Sequence, residues 1–353
     1  MCMPFEFPFS FTDSDQELIT GKLVLEKPLP ESEGIIHRPG RLVLDSGQTI
    51  DLTLTHSDET ASFMYLSNRP VSQDFLFILG LADDQDFKNV QTLTFPGQLV
   101  LGAERTRLVS RCVKDLVSAP FIDELLREFP RDSLVTIPVL REGVKYQIAE
   151  ALFDKYGYYC DEVIADSHHV IDESVSAYHR SAELSIFKDD DISEDRRQRI
   201  TTAFVGDSIA SGTVIICLFN KIRERFEKVK RIELIAPFAT IRGLARMAHY
   251  SPPELKTRVH VFETVLNALP PDYYYSAHYP QPEFHIRPDL QKEYEDWWGI
   301  DGQGNTIADT VCAGYGWSEA FFAPRRQIEM INDELTRRHN LTIVDILKRK
   351  IKV

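Results

Sequence analysis

The sequence predicts an α/β protein: a doubly wound parallel sheet over the second two-thirds of the chain, preceded by a small β-rich N-terminal domain. Three observations predict it. Before about residue 100, short β-type runs are punctuated by Gly, Pro, Asn and Asp. From about Glu104, apolar runs of strand length alternate with longer segments of helical period, the signature of βαβ units. At 353 residues the chain is long enough for two units. The change of pattern sets the expected division, 1–103 and 104–353.

In the first unit, Gly40-Arg41-Leu42-Val43-Leu44-Asp45 and Leu52-Thr53-Leu54-Thr55 flank Ser46-Gly47, a hairpin pattern. Further runs lie at Phe75-Leu76-Phe77-Ile78-Leu79 and Gln98-Leu99-Val100-Leu101. Nothing here carries chemistry, and an oligomerisation or lid role is expected. A helix is then expected from Arg105 to Phe129, with Leu108, Cys112, Leu116, Phe121, Leu125 and Leu126 on its apolar face. Buried strands are expected at Leu134–Pro138, Glu162–Ala165, Thr202–Val205, Ile232–Ala236 and Val259–Phe262, with helices at Val144–Lys155 and Thr213–Lys228. The polar run from Lys188 to Arg197, with three consecutive acids, reads as a solvated loop and helix start, since it lacks the spacing of a metal site.

Composition narrows the classes. A hydrophobic share of 43% and a charged share of 27% are those of a soluble globular protein. No run is long and apolar enough to span a bilayer, and the opening Met1-Cys2-Met3-Pro4-Phe5-Glu6 is not of secretory type, so a cytoplasmic protein is expected. The five cysteines are widely spaced and odd in number, which suggests reduced thiols and neither disulfide framework nor zinc site. A net charge of −14 argues against a nucleic-acid surface but leaves room for a local basic pocket.

Open parallel sheets bind ligands outside the carboxyl ends of their strands. One such turn is Gly206-Asp207-Ser208-Ile209-Ala210-Ser211-Gly212-Thr213: a buried strand, an acid at its tip, a small-residue loop and an apolar helix. Small side chains let backbone N–H groups wrap a phosphate at a helix N-terminus, with Ser211 and Thr213 as hydroxyl donors. The bland alternative is a Ser/Thr-capped helix. A second turn, Pro138-Val139-Leu140-Arg141-Glu142-Gly143, offers a Gly for close backbone approach and an Arg for an anion. Alternatively, Arg141 makes only a surface ion pair with Glu142 or a neighbour.

Together these turns resemble the phosphoribosyltransferases. Pro138 to Gly143 is similar to the pyrophosphate loop of the uracil branch, and Val205 to Val214 to the phosphoribosyl-pyrophosphate motif. Ala236-Pro237-Phe238, Gly243, Leu266-Asn267 and Gly314-Tyr315-Gly316 follow in the same order. The resemblance implies a doubly wound sheet of phosphoribosyltransferase type and transfer of a 5-phosphoribosyl group from phosphoribosyl pyrophosphate to a nitrogenous base or other aromatic acceptor. It implies Asp207 and Arg141 as catalytic residues, and Asp207 as the protein ligand of a Mg²⁺ cofactor. Substrate would meet Leu140, Glu142, Gly143, Ser208, Ile209, Ala210, Ser211, Gly212, Thr213, Gly314, Tyr315, Gly316 and Trp317. A flap would carry His169, Tyr178, His179, Arg180 and Lys188. The implied partners are phosphoribosyl pyrophosphate and a small aromatic acceptor in a homodimer, with no nucleic acid and no membrane.

The departures matter. Gly206 stands for the family's first acid, Thr213 for its second Gly, and Trp317 for an Asp of the uracil enzymes, so an acceptor other than uracil is expected. An insert at 273–313 holds Tyr273-Tyr274-Tyr275, His278, His285, Trp297 and Trp298, either a wider aromatic pocket or a hydrophobic subdomain. These departures leave open a non-catalytic protein that binds a nucleotide or phosphoribosyl pyrophosphate as a sensor. Adjacent His168 and His169 point to opposite faces of a strand, which disfavours joint metal ligation. Hydrolase, nucleoside-triphosphatase and dinucleotide motifs are absent.

Overall fold

The computed structural model describes residues 5–12, 17–56, 66–70, 78–80, 91–93, 102–140, 142–171, 180–266, 332–333, 335–337 and 339–350. The chain opens as an antiparallel meander of β1 (Phe5–Thr12), β2 (Leu18–Leu25), β3 (Ile36–Leu44) and β4 (Thr49–His56). The expected hairpin is β3 and β4, and Gly47 turns it at φ 96°, a conformation that costs a side chain energy. Of the other early runs, Ile78–Gly80 forms β6, between two short paired strands, β5 (Leu66–Pro70) and β7 (Gln91–Leu93). Gln98–Leu101 and the insert at 273–313 lie outside the described residues.

The parallel part contains β8 (Leu134–Pro138), β9 (Asp161–Glu162), β12 (Thr202–Gly206), β13 (Arg231–Thr240) and β14 (Lys256–Leu266). The sheet runs β1-β2-β3-β4-β14-β13-β12-β8-β9, and β6 pairs antiparallel with the end of β14. Every residue of β8 and β12 is buried, because helices cover both faces; such strands read as unbroken apolar runs. β4 pairs in parallel with β14, from Asp51 opposite Arg258 to Leu54 opposite Val261. The change of sequence pattern near residue 103 is therefore crossed by continuous backbone hydrogen bonding. Strands on either side of it form one sheet.

Strand alternation divides the interior in two. On one face Phe204, Ile235 and Phe262 pack under α1 (Gly102–Val117), α2 (Pro120–Glu128) and α3 (Ile148–Tyr156). On the other face Ala203, Val205, Leu234, Val259 and Val261 join Leu23, Leu42, Leu52 and Leu54 of the meander. A four-residue helix, α4 (Glu194–Arg197), starts at Ser193, whose hydroxyl caps it. The second face is covered by α5 (Thr213–Arg225) and α6 (Ile241–Tyr250), and α7 (Ile343–Lys350) lies near the end of the chain.

Three expectations about elements are corrected. The single helix from Arg105 to Phe129 is two helices, because Pro120 takes the first helical position of α2 and holds Ala119 extended at φ −61°, ψ 141°. The helix expected from Val144 begins as a 3₁₀ turn, Gly143–Tyr146, and Gln147 at φ 53° separates it from α3. The strand expected at Glu162–Ala165 divides. β9 stays beside β8, while β10 (Ile164–Ile171) leaves to pair antiparallel with β11 (Arg180–Lys188). The polar run that follows is exposed at Asp190 and Asp191, but Asp189 is buried between Arg197 and Arg225 at 3.2 and 2.8 Å.

Candidate functional site

The chain leaves β8 through α3 on one face and β12 through α5 on the other, so the loops after these neighbouring strands diverge. In an open α/β sheet this divergence is where a ligand crevice forms. The loops 138–143 and 207–212 flank it. Main-chain bonds pin the bases of both. Val139 N–H donates to the Gly206 carbonyl at 2.9 Å, Leu140 N–H to Ala165 at 2.7 Å, and Asp207 N–H to Ile235 at 3.2 Å.

Two close backbone approaches then fix the loops. A Cβ at Gly143 would stand 2.2 Å from the Gly206 carbonyl oxygen, and one at Gly206 would stand 2.9 Å from Ile148 Cδ1 and 3.1 Å from Tyr146. A side chain at Gly206, where the family motif carries its first acid, would press on Ile148 and Tyr146. Gly212, at φ 77°, meets the Gly243 carbonyl of α6, where a Cβ would fall at 2.8 Å, and a Cβ at Gly243 would strike the Ala210 carbonyl. The loop after β12 is thus pressed between β8's loop and the first turn of α6.

Asp207 stands at the tip of β12, partly buried, and its Oδ1 accepts from its neighbour's N–H, Ser208, at 2.8 Å. Burial raises its carboxyl, which the Ser208 N–H opposes and the Glu142 charge reinforces; the outcome is a pKa of about 7. Glu142 is itself buried and accepts from Lys145 Nζ at 2.5 Å, so its ion pair is made within its own turn. Arg141 lies outside the described residues.

The rest of the loop is organised from behind. Ile209 is fully buried and bridges to Ala239, with Thr240 N–H donating to its carbonyl at 2.9 Å. The Thr240 hydroxyl donates to the Ala210 carbonyl at 2.5 Å and accepts from Gly243 N–H at 2.9 Å. Ser211 and Thr213, read from sequence as ligand donors, are buried: Ser211 Oγ donates to Thr213 Oγ1 at 3.0 Å. Both are held by Arg246, a residue the sequence reading passed over. Its signal is a lone cation among Leu244, Ala245, Met247 and Ala248 on a buried helix. What the loop retains for an anion is backbone: Gly212 precedes the first turn of α5, whose first N–H groups after Thr213 have no intrahelical acceptor.

The hairpin of β10 and β11 rises beside β8, with Leu184 and Phe187 packed on the core. His169, Arg180 and Lys188 lie on it, whereas Tyr178 and His179 fall outside the described residues, as do Gly314, Tyr315, Gly316 and Trp317. His168 lies 3.7 Å from Glu183 across the hairpin. Among the described residues no three His, Cys, Asp or Glu side chains group as a metal cage, and no helix is long and apolar enough to cross a membrane.

This is a doubly wound α/β fold in which the loops after β8 and β12 part at the switch point of the sheet. No family model and no curated protein matches the chain. Among solved structures it is similar to a hypoxanthine phosphoribosyltransferase from Staphylococcus aureus, at 14% identity over 47% of this chain and 78% of that one, TM-score 0.30. It is also similar to a Trypanosoma cruzi hypoxanthine phosphoribosyltransferase complexed with IMP, at 13% identity over 56% and 94%, TM-score 0.31. A third is a hypothetical protein from Neisseria gonorrhoeae with bound ppGpp, at 10% identity over 45% and 82%, TM-score 0.31.

Proposed function

We propose that this protein transfers the 5-phosphoribosyl group of phosphoribosyl pyrophosphate to a ring nitrogen of a base or other aromatic acceptor, with pyrophosphate leaving. The observation that carries the reading is the pair of glycine-fitted loops at the switch point, one ending in Asp207 and the start of α5, the other in Gly143. In the reaction the bond from the sugar's anomeric carbon to pyrophosphate breaks, a bond to the acceptor nitrogen forms, and the acceptor gives up its proton. Positive charge builds on the sugar at the transition state, as in glycoside cleavage. The chain's own work is electrostatic and positional. The N-terminus of α5 holds the 5′-phosphate, Asp207 holds the ribose hydroxyls, Arg141 meets the leaving pyrophosphate, and the β10–β11 hairpin stands where it limits water. No protein nucleophile is required.

A single acid at a strand tip fits Mg²⁺, which binds through one or two carboxylates and takes its remaining ligands from substrate oxygens and water. When bound, it would neutralise pyrophosphate charge beside Asp207.

One observation favours a second reading, a sensor that binds the same ligand without turnover: Gly206 stands where the family motif has its first acid, in a position crowded by Ile148 and Tyr146. A pyrophosphate-release assay over a panel of bases and aromatic amines, alongside calorimetric titration of phosphoribosyl pyrophosphate with Mg²⁺, separates the two. Release with one acceptor, reduced at least about 10²-fold in Asp207→Asn, supports the transferase. Binding with no release from any acceptor supports the sensor. Absence of binding by the parent protein removes both.

A further inference from the structure

Arg246 lies in the middle of α6, 7% exposed, on a stretch whose other members from Gly243 to Ala248 are buried and uncharged. Its Nη1 donates to the Ser211 carbonyl at 2.8 Å and to Thr213 Oγ1 at 2.7 Å. Both acceptors belong to the loop after β12, one on each side of Gly212. The Thr213 hydroxyl, so engaged, also accepts from Ser211 Oγ, whose oxygen in turn accepts from Thr213 N–H at 3.3 Å. One nitrogen of one side chain therefore closes the turn that sets Gly212 at positive φ and begins α5. The helix carrying it is braced from outside the parallel part of the sheet. α6 packs on β2, β3 and β4, and His249 near its end contacts Glu17 at 2.5 Å, just before β2.

We infer that Arg246 is the positioning residue of the phosphate site, acting through Ser211 and Thr213 to aim the backbone N–H groups at the start of α5, and that the N-terminal meander serves this loop by seating α6. The inference rests on the phosphate reading of that loop. Its position behind the loop, bonded to a carbonyl and a hydroxyl, gives it a role apart from direct contact with substrate. It predicts a selective defect: the half of the site that holds a phosphate monoester depends on Arg246, and the half at Gly143 does not.

Full-length protein is titrated calorimetrically with ribose 5-phosphate and, separately, with inorganic pyrophosphate plus Mg²⁺, for the parent, Arg246→Met and Arg246→Lys, with near-ultraviolet circular dichroism as the check on folding. Expected is a loss of ribose 5-phosphate affinity of about 10- to 100-fold in Arg246→Met, the value of hydrogen bonds from a charged donor, with pyrophosphate affinity kept. Arg246→Lys should restore most of it, because both bonds come from a single nitrogen that an ammonium can replace. Should Arg246→Met not fold, Thr240→Val removes the adjacent clamp at Ala210 and should show the same selectivity. Parental affinity in Arg246→Met, or equal loss of both ligands in whichever variant folds, overturns the inference while leaving the site reading intact. A parent that binds neither ligand overturns the site reading, and this inference with it.

Discussion

The two faces of the sheet hold buried polar groups in opposite ways. On the face of α6, Thr240 and Arg246 bond to Ala210, Ser211 and Thr213, in the loop after β12 and at the start of α5. On the face of α2, Glu233 and His260 are both fully buried, with Nε2 2.5 Å from Oε2, and Arg231 also reaches Glu233. Phe121 stacks on His260 at 5.3 Å and meets His37 edge-on, and His37 bonds Thr55 at 3.0 Å. Burial pushes Glu233 upward, but the hydrogen bond and charge of His260 and the charges of Arg231 and Arg258 hold it below the usual range. Burial lowers His260 more than its hydrogen bond and charge contact with Glu233 raise it, and its Nδ1 is buried without a hydrogen-bond partner. The first cluster shapes a surface; the second is sealed. Of the two clusters, the first bonds to a loop at the strands' carboxyl edge.

The comparison breaks most easily at the sealed pair. His260→Leu takes one partner from a buried carboxylate and should cost about 3 kcal/mol in urea denaturation with ribose 5-phosphate affinity unchanged; a change in affinity would mean the faces are coupled. Gly143→Ala comes next. Its methyl group meets backbone, not a movable side chain, so a cost of about 2 kcal/mol is expected, together with loss of pyrophosphate binding in the same calorimetric assay.

The third prediction sets the faces against each other through pH. Asp207, raised to about 7, keeps its proton in the fold after the unfolded chain has lost it near 3.8, so its contribution is complete below 3.8 and is lost as pH rises through 7. His37 is lowered to about 4 by burial and by His260; its contribution is complete above 6.5 and is lost as pH falls toward 4. Between pH 4 and 6.5 the two slopes oppose, each at most about 1.4 kcal/mol per pH unit. Asp207→Asn should therefore make stability rise with pH across that window, and His37→Leu should make it fall. Parallel profiles for the two variants would contradict the assignment. The smallest effect expected is Ser211→Ala, about 1 kcal/mol for one hydroxyl pair, read as a shift in the denaturation midpoint.

Much of this was legible in the sequence. Strands buried on both faces appear as continuous apolar runs, which is why β8, β12, β13 and β14 stand out, and Ser46-Gly47 marks its hairpin unaided. The break before Pro120 was hidden because apolar periodicity continues across it in Leu116, Phe121 and Leu125. The β10–β11 hairpin was hidden by its exposure: Ser181, Glu183 and Ser185 face solvent and dilute the pattern. Asp207 and the glycines were readable from their order along the chain. Arg246 was readable only as a lone cation in an apolar stretch, and its partner was hidden because it reaches the loop from a helix one strand further on. Glu233 and His260 carried a usable signal, each a polar residue inside an apolar strand run.

The pairing of β4 with β14 also governs how the chain must assemble. β1 to β4 are joined by near neighbours and can pair as soon as they are made, yet β4 waits with an open edge until β14, at the far end of the parallel part, is in place. Contacts of such sequence separation form slowly, and an unpaired edge is the surface on which chains associate wrongly. Until β14 arrives, β4 is an exposed edge of that kind.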